Sequence, residues 1–142
     1  MIRAIIFDLN GILITSEKLS DRFEQRFHVP AETFLVALQK IMPIVRCPNA
    51  GSAYAYWRPW FQTWNLKMTK QEFFDFWFSG EKLSREALQL LKKVRKANPK
   101  IKIRILSNNF RERSTYYSKT FPEMFQHVDD VYYSWQTGHV KP

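Results

Sequence analysis

The run Arg3-Ala4-Ile5-Ile6-Phe7, nearly all apolar and closed by Asp8, constrains the fold more than any other feature of the chain. Its length suits one strand, and its lack of alternation predicts a strand buried on both faces, as in a parallel sheet. Asn10-Gly11 supplies turn chemistry directly afterwards, so Asp8 is predicted to stand at the strand's carboxyl end. Parallel strands need long crossover connections, and the rest of the sequence offers them.

From about Ser16 to Phe78 the texture is helical. Phe23 and Phe27 lie four apart. Pro30 can open a helix in which Phe34, Leu35, Leu38 and Ile41 share a face. Pro43 and Pro48, with Asn49 and Gly51, are read as a loop. Tyr54 to Trp64 is rich in aromatics, and Thr69 is predicted to cap a helix running through Phe78, with Glu72 completing a capping box. Ser84 is a second predicted N-cap, ahead of Ala87, Leu90, Leu91 and Val94 at helical spacing, and Asn98-Pro99 ends that element. Ile101, Ile103 and Ile105 alternate with Lys102 and Arg104, which predicts a strand closing at Ser107-Asn108-Asn109. A helix is expected from about Arg111 to Thr120, and Val131-Tyr132-Tyr133 is a third strand candidate. Strand, helical insert, helix, strand, helix, strand is the order of a three-layer α/β core on a parallel sheet.

Composition narrows the function classes. No apolar run approaches the roughly 18 residues that span a bilayer. The start, Met1-Ile2-Arg3-Ala4, reads as the entry to a strand rather than a signal peptide. A single cysteine, Cys47, cannot form an internal disulfide and fits a reducing compartment, so a cytoplasmic location is expected. The net charge of +9 can serve nucleic acid, a membrane surface or an anionic substrate. Lys92, Lys93, Arg95 and Lys96 share a helix with an apolar stripe and are read as its solvated face. Without an RNA-binding or helix-turn-helix signature, nucleic acid is a minority reading, and no membrane partner is expected.

Ligands of open parallel sheets bind beyond the carboxyl ends of the strands. Those ends collect Asp8 with Asn10, then Ser107 with Asn108, and after the third strand Lys141. Each alone is an ordinary turn or cap residue. Together, a carboxylate can attack phosphorus while hydroxyl, amide and ammonium groups hold the phosphoryl oxygens.

The same residues carry a resemblance. Ile5-Ile6-Phe7-Asp8-Leu9-Asn10-Gly11-Ile12-Leu13 is similar to the first motif of the haloacid dehalogenase-like (HAD) hydrolases, Asp-x-Asp-Gly-Thr/Val. Ile105-Leu106-Ser107-Asn108-Asn109 resembles their second motif, and Ser134 through Lys141-Pro142 resembles their third, Ser-x-x-x-Gly-x-x-Lys-Pro. The order matches the subclass with a helical cap between motifs one and two, near its sugar-phosphate phosphatases. The resemblance implies a Rossmann-like core, residues 1–14 and 81–142, whose parallel sheet is incomplete, and a helical cap, residues 15–80. It further implies Asp8 as nucleophile and magnesium ligand, with the Asn10 carbonyl as a second ligand. Ser107 and Asn108 would bind the phosphoryl group, and Lys141 would neutralise its charge and orient Asp8. The expected cofactor is Mg2+ and the expected substrate a small phosphorylated metabolite.

Two departures qualify that expectation. Asn10 stands where such phosphatases carry a second Asp as general acid/base, and loss of such a group costs about 10²–10⁴ in rate. The sequence also stops at Pro142, before the family's fourth, acidic motif. Asp129-Asp130 precedes the third strand and is read as a turn, not as that motif. The first strand is therefore expected to present an open edge, covered by more chain, a second copy or a partner. The alternative to a hydrolase is a catalytically silent HAD-fold protein that binds without turnover.

Other signals are read as structure. Trp57, Trp60 and Trp64, and Phe73, Phe74, Trp77 and Phe78, are taken as cap core rather than pocket. His28, His127 and His139 lack metal-ligand spacing.

Overall fold

The computed structural model describes residues 2–142. In chain order the elements are β1 (Ala4–Phe7), β2 (Ile14–Ser16), α1 (Leu19–Phe27), α2 (Ala31–Val45), α3 (Ala53–Thr63) and α4 (Lys70–Phe78). They continue as β3 (Glu81–Leu83), α5 (Arg85–Ala97), β4 (Lys102–Ser107), α6 (Arg111–Thr120), α7 (Pro122–Phe125), β5 (Asp130–Tyr133) and α8 (Ser134–Thr137).

The main sheet has the order β1-β4-β5, and both pairings are parallel. Register decides which side chains share a face. Ile5 pairs with Ile103, Phe7 with Ile105 and Ile105 with Val131, so these point one way. Two successive right-handed crossovers in the same direction put α5 and α6 on that side. Ile103 and Ile105 are fully buried there with Leu91 of α5, Tyr117 of α6 and Met124 of α7. The other face carries Ile6, Arg104, Leu106 and Tyr132.

The expectation for β1 needs correcting here. Ile6 is 62% exposed, so β1 is buried on one face only. Among the described residues β1 pairs with β4 alone, which leaves it at the sheet's edge.

A second ribbon was not legible in the sequence. β2 and β3 pair antiparallel, with Ile14 opposite Leu83 and Ser16 opposite Glu81. Three-residue strands are too short to show a period. The ribbon follows a tight turn in which Gly11 adopts φ +86°, a conformation that L side chains rarely adopt. The helical segment α1–α4 leaves and returns through this ribbon.

That segment has its own core, built from Phe23, Phe34, Trp57, Phe61 and Phe73, all at most 2% exposed. Phe34 stacks on Trp57 with ring centroids 5.0 Å apart, and Phe61 meets Phe73 edge-on at 4.8 Å. The aromatic stripe is therefore packing, with Trp60 and Trp64 partly buried against it. Pro43 and Pro59 lie inside α2 and α3, so Pro43 does not begin a loop. The loop starts later, at Arg46, and holds Asn49 and Gly51 at positive φ.

The predicted caps are present. Thr69 Oγ1 accepts from the Glu72 N–H, and the Glu72 carboxylate accepts from the Thr69 N–H at 2.7 Å. Those bonds hold the Glu72 carboxyl below the usual carboxylate range. Thr69→Ala removes half of the box, and we expect the thermal midpoint to fall by about 3 °C, measured by circular dichroism. Ser84 caps α5 by accepting from Ala87 N–H. Asp129 accepts from the Arg95 guanidinium and from Ile103 N–H, which ties α5 to β4 and keeps its carboxyl low. It is a structural residue, as its position before β5 suggested.

Two contacts fix the helical segment over the sheet's carboxyl end. Phe110, just past β4, packs against Trp77 with ring centroids 5.1 Å apart and joins the aromatic core. Glu112 of α6 accepts from Ser52 Oγ at 2.9 Å and Ala53 N–H at 3.0 Å, capping α3 from outside.

Candidate active site

β1 and β4 are in parallel register, so their carboxyl ends deliver Asp8 and Ser107-Asn108 to the same edge. The segment after α8 returns across that edge and brings Lys141. All five residues expected from the sequence, Asp8, Asn10, Ser107, Asn108 and Lys141, line one cleft of about 260 Å³.

Asp8 is held through one oxygen. Its Oδ1 accepts from Leu9 N–H at 2.7 Å and from Lys141 Nζ at 2.9 Å, while the side chain remains 48% exposed. Oδ2 has no hydrogen bond among the described residues, so it is the oxygen free to attack or to bind a cation. The ion pair is partly solvated, and its value lies in aiming the carboxylate more than in stability.

Lys141 is positioned by Asn108. The Asn108 amide donates to Lys141 O at 2.9 Å and accepts from Lys141 N–H at 2.8 Å. A reciprocal pair of this kind fixes both partners, and one Asn108 amide hydrogen remains for a ligand. Ser107 is 1% exposed, with its hydroxyl 3.4 Å from Asn10 Oδ1.

Asn10 is the most constrained member. Its Nδ2 donates to Tyr117 Oη at 2.6 Å, and its Oδ1 accepts from Asn109 Nδ2 at 3.2 Å as well as from Ser107. Tyr117 Oη in turn donates to Glu81 Oε2 at 3.0 Å. Arg113 closes the chain on the other Glu81 oxygen, with Nη2 at 2.6 Å and Nε at 2.8 Å. Burial, reinforced by Glu81 against the pull of Arg113, pushes the Tyr117 phenol far above its ordinary range, so it stays a donor. The Asn10 amide is thereby oriented through a buried path that begins at the two-strand ribbon.

Sequence reasoning missed Tyr117, Glu81, Arg113 and Asn109, which act through Asn10 and lie far from it along the chain. It also missed Arg46, the residue that follows α2, which lines the cleft with Asp8 and Lys141. His139 is exposed and does not line the cleft.

Asp8 Oδ2 and the Asn10 backbone carbonyl are hard oxygen donors at one edge. Magnesium is commonly held by one or two carboxylates and completes its shell with water and substrate phosphate. The residues present fit that partial set. Among the described residues no cluster of three or more His, Cys, Asp or Glu offers a fuller one.

Solved structures share this fold. A HAD family enzyme from Bacteroides thetaiotaomicron superposes with a TM-score of 0.79 at 20% identity, over 99% of this chain and 72% of that one. The chain has the HAD fold. The same Bacteroides enzyme in complex with magnesium and inorganic phosphate matches at a TM-score of 0.74 and 19% identity, over 100% of this chain and 73% of that one. A HAD-like family hydrolase from Porphyromonas gingivalis matches at 0.71 and 23%, over 100% and 71%. No family model and no curated protein matches the sequence. The HAD fold explains why one cleft gathers these residues, since the sheet's carboxyl edge lies beneath a helical insertion. No helix among the described residues is long and apolar enough to cross a membrane.

Proposed function

We propose that this HAD-fold chain is a magnesium-dependent hydrolase of small phosphate monoesters that works through an aspartyl-phosphate on Asp8, with turnover limited by Asn10. The observation that carries this reading is the geometry of Asp8, one oxygen fixed by Leu9 N–H and Lys141 and the other free in a cleft with two cations and one carboxylate. The Bacteroides complex with magnesium and phosphate supports the same ligand class. A bound magnesium ion would neutralise charge on the phosphoryl oxygens.

The chain's own residues supply the rest. Lys141 and the Asn108 amide hold phosphoryl oxygens while Asp8 Oδ2 forms a bond to phosphorus. The bond from phosphorus to the leaving oxygen breaks, and that oxygen keeps the electron pair. Water then attacks, the bond to Asp8 breaks, and inorganic phosphate leaves with the carboxylate restored. Asn10 can donate a proton to neither leaving group nor solvent, and its amide is already committed to Tyr117. Leaving groups that need no proton should therefore react best.

A specific observation also favours a second reading, a silent member that binds phosphate without turnover: Asn10 is locked by partners on both amide atoms. Assay of the protein with p-nitrophenyl phosphate separates the two. We expect slow hydrolysis that stops when magnesium is chelated. Phosphate binding with no hydrolysis at any magnesium concentration would select the silent reading.

A further inference from the structure

Arg46 belongs to two cavities at once. On one side it lines the cleft of Asp8, Ser107 and Lys141. On the other it lines a second cleft of about 260 Å³ between the helical segment and the ribbon, with Arg22, Trp77, Glu81 and Arg113. Its Nε is buried and has no hydrogen-bond partner. Among the described residues no carboxylate lies within ion-pair distance of its guanidinium. A buried donor left unpaired is costly, more so on a charged group, so such an atom marks a missing partner.

The neighbouring cations differ from it. Arg113 is neutralised by Glu81 at 2.6 Å, and Arg22 donates to the Phe76 and Trp77 carbonyls at 2.8 and 3.2 Å. Burial, and then the Arg113 guanidinium, pull Arg46 below the usual arginine range, which means that its charge is incompletely compensated where it stands. The phosphoryl steps above give its guanidinium no contact, although it is one of the cleft's two cations.

We propose that Arg46 binds a second anionic group of the substrate, a carboxylate or a second phosphate, lying between the phosphoryl cleft and the Arg113 side. The inference rests on the phosphoryl reading of Asp8 and deepens it. The preferred substrate is then a phosphate monoester with two anionic ends, and a monophosphate of an uncharged sugar is the poorer ligand. A guanidinium offers several donors in a planar fork, the geometry that matches a carboxylate or phosphate. The anion would also relieve the repulsion between Arg46 and Arg113.

The test is calorimetric titration of the protein in magnesium buffer with four probes: methyl phosphate, glycerol 3-phosphate, 3-phosphoglycerate and glycerol 1,3-bisphosphate. A two-anion probe is expected to bind at least about tenfold more tightly than glycerol 3-phosphate, the gain of one charge-assisted contact. The larger gain, for carboxylate or for second phosphate, tells which anion the site takes. Arg46→Gln is expected to bring that ratio close to one, and Arg46→Lys to lower it about threefold. A wild-type ratio near one overturns the proposal without any variant, as does a ratio that Arg46→Gln leaves intact. If methyl phosphate binds without discrimination among the rest, the inference alone fails. If no phosphate binds, the phosphoryl reading falls and takes the inference with it.

Discussion

Asp8→Ala is expected to abolish magnesium-dependent phosphate release, with a loss of at least about 10³-fold, because among the described residues no other carboxylate lines the cleft. Among the described residues that line the cleft, Asp8 is the only acidic one. Glu81, the nearest candidate through the hydrogen-bond chain, is 5% exposed, behind Tyr117 and paired with Arg113. Steady-state release of phosphate from p-nitrophenyl phosphate reads the effect directly. Asp8 side-chain contacts run only to Leu9 N–H and Lys141, and the residue is half exposed, so the variant should fold. Its melting temperature is the control, and a variant that melts normally yet turns over at the wild-type rate would remove Asp8 from the mechanism.

Asn10→Asp is the second large effect, with the opposite sign. The introduced carboxyl restores a proton donor and acceptor beside Asp8, and we expect hydrolysis to rise by about 10²-fold for substrates with poor leaving groups. For p-nitrophenyl phosphate the gain should be smaller, since its leaving group needs no proton and only the attack of water on the aspartyl-phosphate is helped. The surroundings shape the outcome. Tyr117 Oη accepts from Asn10 and donates to Glu81. A carboxylate at position 10 offers no donor, and Tyr117 has only one hydrogen to share between two acids. A half-buried carboxylate that must compete for its one donor is harder to ionise, so the new group should titrate above the ordinary Asp range. The sign follows: activity that needs this acid protonated is present at low pH and declines as pH rises through the raised pKa. Replacing Glu81 by Gln as well relieves the competition and should move the decline to lower pH. A pH–rate profile of the single and double variants checks this.

How much of this was readable beforehand depended on the range of the interactions. Asp8, Ser107 and Lys141 were legible because each sits at the end of a strand or motif, and topology alone brings strand ends together. Thr69 and Ser84 were legible because capping chemistry acts within one turn. The burial of β1 was misjudged from its unbroken apolar run. Which face is covered depends on crossovers, and both crossovers among the described residues lie on one side, leaving Ile6 open. Pro43 was misread because a proline that usually breaks a helix is tolerated within α2.

Arg46 and the Tyr117–Glu81–Arg113 path were invisible for a different reason. Arg113 and Tyr117 are one helical turn apart on α6, but that helix has a weak apolar pattern and does not announce its inward face. Glu81 lies on a three-residue strand, and Arg46 reaches the cleft because contacts such as those of Phe110 and Glu112 seat the helical segment over it. Those are contacts between distant parts of the chain, and local spacing carries no record of them.

The central claim, that Asp8 accepts a phosphoryl group, is tested most directly by intact-mass spectrometry after incubation with acetyl phosphate and magnesium. Acetate needs no proton on departure, and Asn10 cannot activate water for the second step, so the intermediate should accumulate. The account predicts a mass increase of one phosphoryl group, mapped to the Asp8 peptide, released by hydroxylamine and absent from Asp8→Ala. A protein of unchanged mass, or a phosphoryl group on another residue, would contradict it.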